Sequence, residues 1–326
     1  MSGNRNLIFL VLFITILLSV VFISRNYFIF PRNYLVSTSK IKAKGSYRVL
    51  LVGWLHHKNL NALMKYKNIV VVCVASLPKS LSSFDVVYCP SMSVDVSLYP
   101  GVRFIFGPHF SVFPEASHLQ LIRGSIYIQP SQWVVDFWKG YDSCQKLNLR
   151  VMPFGVDTDM FRPLPKEVIK EHVVVYFKHR KPEELEFIEN FLRLHNVTYR
   201  IFTYGSYTEA EYTEYFKRAK YGIWLDASES QGFALEEALS MNVPLLVWNV
   251  RSLNQDNEST LPDIFATSIP YWDDTCGEVA YSSEDFVRVY SMFLSKLELY
   301  RPREFVMKYL SMDVCERRLL DLIREV

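Results

Sequence analysis

Two series of short, almost wholly apolar runs constrain this chain more than any other feature. The first comprises RVLLVGW (48–54), NIVVVCVA (68–75), FDVVYCP (84–90), VRFIFGP (102–108), SIYIQP (125–130) and LRVMPFGV (149–156). The second comprises HVVVYFK (172–178), TYRIFTYG (198–205), YGIWLDA (221–227) and VPLLVWN (243–249). Continuous rather than alternating hydrophobicity marks strands buried on both faces, as in parallel sheets. Helical segments fall between the runs, at 58–66 and 131–142 in the first series and at 182–195, 209–220 and 230–242 in the second. Pro182 followed by Glu183 and Glu184 suits a helix start, where proline costs no hydrogen bond and acids complement the dipole. Residues 283–325 also read as helical. This order predicts an α/β protein of two Rossmann-like, doubly wound domains facing a central cleft at the carboxyl ends of their strands. The expected limits are 46–163 and 164–326, with a proline-containing joint near 163–165 and the C-terminal helices in the second domain. A length of 326 residues, half of them apolar, accommodates two such cores.

Residues 7–24, LIFLVLFITILLSVVFIS, carry no charge and are long enough to cross a bilayer. The run is long for a signal-peptide core and no A-x-A site follows, so we expect a retained transmembrane anchor between a flank (1–6) and a stalk (25–45). Arg5 precedes it, whereas Arg25, Arg32, Lys40, Lys42 and Lys44 follow, which leans the rest of the chain towards the cytosol. The sequons at Asn196 and Asn257 would instead suit a secretory-pathway lumen. The five cysteines include no CxxC pair and read as reduced thiols. A net charge of +2 argues against a nucleic-acid partner. Asp273 and Asp274 read as a loop. His56 and His57 would point apart on a strand, which disfavours a metal pair.

The most unusual stretch is SESQGFALEEALSMNVPLLVWN, from Ser228 to Asn249. The preceding run should deliver Ser228, Glu229 and Ser230 into the cleft, with a helix beginning near Ser230 or Gln231. Free amides at a helix start favour an anion such as a diphosphate, and Gly232 would let backbone approach it. Eight helical positions of rise set Glu229 roughly 12 Å from Glu237, a span comparable with that between the sugar and ribose of an extended nucleotide sugar. A capping carboxylate at Glu229 and a solvated helix face at Glu237 is the plainer alternative. Glu236 reads as part of that solvated face.

The pattern resembles the E-x7-E motif of retaining glycosyltransferases with the GT-B fold, the glycosyltransferase family 4 (group 1) type. MPFGVDTDMFRP (152–163) is similar to the P-x-G-V-D-x-x-x-F-x-P segment at that family's domain junction, YFKHR (176–180) to its basic pair, and NVPLLVWN to the strand after its motif helix. The resemblance implies transfer of a sugar from a nucleotide-diphosphate donor to a hydroxyl of a glycan or lipid-linked acceptor, with retention and with no metal or other cofactor. Lys178 and Arg180 would neutralise the diphosphate; the alternative makes them surface bases beside the acidic run after Pro182. Glu229 would contact the transferred sugar and Glu237 the ribose. Ser230, Gln231, Gly232 and Phe233 would offer backbone amides and shape. His109, in FGPHFSVFP (106–114), would be an active-site histidine near the acceptor, with a capping or core histidine as the other reading and His56–His57 as a second candidate. Two departures stand out: Ser230 and Gln231 intervene before Gly232, and no glycine-rich loop follows the first strand. A catalytically silent sugar-nucleotide-binding protein and a sugar-nucleotide epimerase are the competing functions. No G-x-G-x-x-G follows any strand, which argues against a dinucleotide oxidoreductase.

Overall fold

A computed structural model describes residues 46–114, 118–165, 167–257 and 259–326. The expected anchor and stalk lie outside them, and among the described residues no helix is long and apolar enough to cross a membrane.

The first lobe runs β1 (Tyr47–Val52), α1 (His57–Lys65), β2 (Ile69–Val74), β3 (Val86–Cys89), β4 (Phe104–Phe106), β5 (Ile126–Gln129), α2 (Gln132–Lys139) and β6 (Asn148–Val151). Its strands form a parallel sheet in the order β2-β1-β3-β4-β5-β6. The second lobe runs β7 (His172–Lys178), α3 (Pro182–Leu194), β8 (Tyr199–Thr203), α4 (Glu209–Lys217), β9 (Ala219–Asp226), α5 (Phe233–Ser240), β10 (Leu245–Trp248), β11 (Gly277–Ala280), α6 (Ser283–Ser295), α7 (Pro302–Tyr309) and α8 (Met312–Glu325). Its parallel sheet has the order β11-β10-β9-β7-β8.

Each apolar run has become a strand; the central strands are covered on both faces, whereas β2, β6 and β8 at the sheet edges are only partly buried. In the first lobe Val49 and Leu51 face one core cluster, with Leu63 and Tyr88, while Leu50 and Val52 face another, with Val87 and Trp138. In the second lobe Val174 and Tyr176 face one cluster and Val173 and Val175 the other. Burying a side chain of this size contributes about 1.5–3 kcal/mol relative to exposure. Two-sided coverage is therefore what stabilises both sheets. The α3 start forms at Pro182 as its sequence suggests, with Glu184 accepting from the Lys181 amide at 3.2 Å.

Two elements depart from the sequence reading. Strand β11 lies outside the apolar runs, because its four residues carry too short an apolar signal. Helix α8 follows the second lobe in sequence, yet Cys315, Leu319, Leu320, Leu322 and Ile323 lie in a core cluster of the first. An apolar stripe says that a helix has a core to join but not which one.

The return to the first lobe runs beside the outward crossing. The Val156 amide donates to the Leu310 carbonyl at 2.8 Å, and Val156 forms a parallel bridge with Ser311. At Gly155 a Cβ would lie 2.7 Å from the Met312 Cα, so the two crossings approach closely only because that residue is glycine. The MPFGVD segment thus forms a two-stranded hinge. In both sheets the strand order reverses beside the first strand, between β1 and β3 and between β7 and β9. Open α/β sheets bind ligands at such switch points, outside the carboxyl ends of the strands.

Candidate active site

Lys178 ends β7 and Asp226 ends β9, in register across the second lobe's switch point. Lys178 Nζ lies 3.9 Å from Asp226 Oδ1, forms an ion pair and hydrogen bond with Glu229, and sits 4.7 Å from the centre of the Tyr204 ring. Burial opposes the Lys178 ammonium, but the adjoining Asp226 and Glu229 carboxyl groups outweigh it and hold its pKa above the usual lysine value. Asp226 is 2% exposed, and burial, together with the charge on Glu229, drives its pKa far upwards. Lys178 and Glu229 form the closer ion pair of the group, with Asp226 beside them. Glu229 is fixed through its backbone, accepting from Trp133 Nε1 of α2 at 2.9 Å and donating to the Thr267 carbonyl at 2.9 Å.

The helix after Glu229 begins at Phe233, later than the sequence suggests, and Gly232 is its N-cap with φ +88°. A Cβ at Gly232 would lie no closer than 3.7 Å to any neighbour, so the requirement is for left-handed backbone rather than for space. Residues 229–232 are not helical, and the rise used to separate Glu229 from Glu237 does not apply to them. Ser230 is exposed at the cleft, whereas Gln231 is turned inward. Gln231 accepts from the Phe154 amide at 3.0 Å and donates to the Phe154 carbonyl at 2.7 Å and to Glu236 at 3.0 Å. It is therefore a clasp on the hinge, and its side chain is not free for a donor. Phe233 packs against a first-lobe core cluster. Glu236, expected on a solvated face, is fully buried, and burial raises its pKa well above the usual carboxyl value.

Glu237 is 5% exposed and meets a first-lobe cation that the sequence reading did not single out. Lys58 Nζ, on the first turn of α1, lies 2.6 Å from Glu237 Oε1 and 2.9 Å from Glu209 Oε1. Burial raises the Glu237 pKa to about 7, against the opposing pull of Lys58. Lys58 follows two histidines just beyond the first strand; that placement at a switch point is the signal that could have identified it.

Arg180 does not face the cleft. It is 1% exposed, and its guanidinium donates to both Glu184 oxygens at 2.9 and 2.6 Å and to the Asp226 and Trp248 carbonyls at 3.2 and 2.7 Å. His179, with φ +50°, separates it from Lys178 and turns the chain. The expected diphosphate-binding arginine is instead a clamp joining the ends of β9 and β10 to α3. Of the expected basic pair only Lys178 pairs with Glu229, and Lys58 meets Glu237 from the other lobe.

The first lobe supplies neutral groups. His109 follows β4, donates its amide to the Pro90 carbonyl at 2.7 Å, and lies 4.9 Å, ring to ring, from Trp54. Its Nε2 is 3.2 Å from Asn59 Nδ2; with the amide donating, Nε2 accepts and Nδ1 carries the proton. Burial lowers its pKa to about 4. His56, 6.4 Å away, is likewise lowered to about 4, first by burial and then by the neighbouring His57, His109, Lys58 and Lys178. Both rings are neutral at pH 7. Trp54, His109, Gln129 and Trp133 of the first lobe line one cavity of about 480 Å³ with Ser228, Glu229 and Ser230 of the second. Sequence candidates from both lobes, His109 and Glu229, therefore share a wall-to-wall space. Asp273 and Asp274 lie apart from it, in a loop where Asp273 accepts from the Thr275 amide at 2.9 Å.

No protein-family model matches the sequence, and no characterised protein matches it by sequence comparison. Solved structures do match the fold. Sucrose-phosphate synthase from Thermosynechococcus elongatus aligns with a TM-score of 0.53 and 10% identity over 86% of this chain and 98% of that one. The N-terminal domain of Candida albicans trehalose-6-phosphate phosphatase aligns with a TM-score of 0.57 and 11% identity over 87% and 98%. The lipopolysaccharide outer core galactosyltransferase WaaB, in its apo form, aligns with a TM-score of 0.51 and 13% identity over 85% and 99%. Two parallel sheets joined by a double-crossing hinge, with the likeness spanning nearly the whole of each neighbour, give this chain the GT-B fold.

Proposed function

We propose that the chain is a glycosyltransferase that moves a sugar from a nucleotide-diphosphate donor to an acceptor hydroxyl, with retention and without a metal ion. The observation that carries this reading is the cavity shared by Glu229 and His109, with Lys178 paired to Glu229. The donor pyrophosphate would lie against Lys178 and the α5 N-terminus, whose first amides have no partner within the helix. Lys58 would approach it from the first lobe. Glu229 would accept hydrogen bonds from the transferred sugar, and Glu237 from the ribose. As the bond to the anomeric carbon breaks, negative charge grows on the leaving phosphate. Lys178 stabilises it there, where water is largely excluded. The same phosphate then takes the acceptor proton, so no glutamate need act as a nucleophile. Neutral His109 would orient the acceptor hydroxyl without adding charge.

Supporting this reading are the fold, the E-x7-E spacing and the meeting of both lobes at one cavity. The test is turnover of UDP- and GDP-sugars by the full chain beside Glu229→Ala and Lys178→Ala. Turnover insensitive to both changes contradicts the assignment. A silent sugar-nucleotide-binding protein is the second reading, and the engagement of Arg180 in the fold favours it; nucleotide binding without turnover of any donor would select it. Residues 7–24 we read as a membrane anchor, and protease protection in sealed membranes would assign the side of the remainder.

A further inference from the structure

Beside the reaction cavity lies a larger one of about 1020 Å³ to which both lobes contribute. Trp133 and Phe137 of α2 line both cavities. Trp133 is also the residue that donates to the Glu229 carbonyl, so the larger groove opens directly beside the proposed reacting centre. Opposite α2 stand Phe265, which is 65% exposed, and Tyr281, which is 39% exposed. The Arg251 guanidinium lies 4.2 Å over the Tyr281 ring and has no carboxylate partner among the described residues. The groove's own acid, Asp136, is already engaged by Gln132 at 2.8 Å and Lys139 at 3.7 Å.

We propose that this groove is the acceptor subsite and that it takes a saccharide chain bearing an anionic group, such as a uronic acid. The proposal rests on the glycosyltransferase reading and extends it by naming the acceptor's chemistry. Pyranose rings present flat C–H faces, and stacking these on exposed aromatic rings removes apolar surface from water. The anionic substituent would meet Arg251, whose planar guanidinium binds a carboxylate through two parallel hydrogen bonds and is already held flat by Tyr281. Small-molecule sites run to roughly 300–1,000 Å³, so this groove has room for more than one ring. An acyl chain would use the aromatic rings but leave Arg251 without a partner. A neutral glycan would do the same.

The test is direct binding of a uronate-containing disaccharide and its neutral counterpart to the full chain, followed by saturation-transfer NMR and intrinsic tryptophan fluorescence. Arg251→Gln and Phe265→Ala are the variants. The acidic disaccharide should bind about tenfold more tightly than the neutral one, the worth of one charge-assisted contact, and Arg251→Gln should abolish that preference. Phe265→Ala should weaken both ligands. Equal binding of the two disaccharides, no binding of either, or binding indifferent to both variants would overturn the proposal. Donor hydrolysis by the unmodified chain, measured separately, distinguishes this failure from failure of the transferase reading, because hydrolysis requires only the donor site.

Discussion

The two switch points that face each other across the cleft are built from the same topology and opposite chemistry. At the second lobe's, strand ends deliver Lys178 and Asp226 in register, with Glu229 beside them. At the first lobe's, the Trp54 amide donates to Ser91 Oγ at 2.9 Å, and His56 and His109 are kept neutral by burial. The proposed reaction, between an anionic donor and a neutral hydroxyl, would use that division. Charge is handled on one wall, and the opposite wall orients without competing for it. Lys58 is the exception, a first-lobe cation whose charge is met by second-lobe carboxylates. The difference between the lobes is therefore one of side chains at strand ends, which a shared backbone plan leaves free to vary.

That comparison can be broken at several points. Arg180→Ala should have the largest effect, on stability: it leaves Glu184 and two carbonyls without their partner and should cost about 3–5 kcal/mol by denaturant unfolding. Lys178→Met, two residues away, should instead act on chemistry, lowering donor turnover about 10²- to 10³-fold while the protein remains folded. If the two variants exchanged phenotypes, the assignment of clamp and cation would be reversed. His109→Phe should reduce transfer to an acceptor about 10- to 100-fold, the worth of one or two hydrogen bonds, and spare donor hydrolysis. Equal loss of both activities would place His109 on the donor side. Gly232→Ala should cost about 1–2 kcal/mol, because an L-residue is strained at positive φ; an unchanged unfolding midpoint would contradict the left-handed cap. Lys58→Met should have the smallest effect, on pH dependence. Glu237 accepts hydrogen bonds as its anion, and the anionic fraction rises with pH through about 7. Removing the Lys58 charge removes a force that holds this pKa down, so the acid limb of donor binding should move to higher pH. A limb that stayed in place, or moved down, would separate Lys58 from Glu237.

Much of this arrangement was readable in the residues. The apolar runs located the strands, since a strand covered on both faces must be continuously apolar, and YGIWLDA correctly carried Glu229 to a strand end. The fate of Arg180 was harder to read. Lys178 and Arg180 look alike in YFKHR, but the left-handed His179 between them sends one to the cleft and the other onto α3. The i, i+4 spacing of Arg180 and Glu184 was the available hint. Glu236 and Glu237 were likewise adjacent and chemically identical. Which one joined the hinge network and which met Lys58 depended on a helix start displaced by the glycine cap. The side taken by α8 depended on the return crossing at Gly155, a tertiary approach with no local signature.

The central claim is that a sugar-linked pyrophosphate binds at the second lobe's switch point, against Lys178. Calorimetric titration of UDP, GDP and ADP into the full chain and into Lys178→Met tests it most directly. The account predicts that at least one nucleotide binds the unmodified chain and binds the variant about tenfold or more weakly, as loss of a charge-assisted phosphate contact requires. Equal affinity for both proteins, or no binding of any of the three, would contradict it.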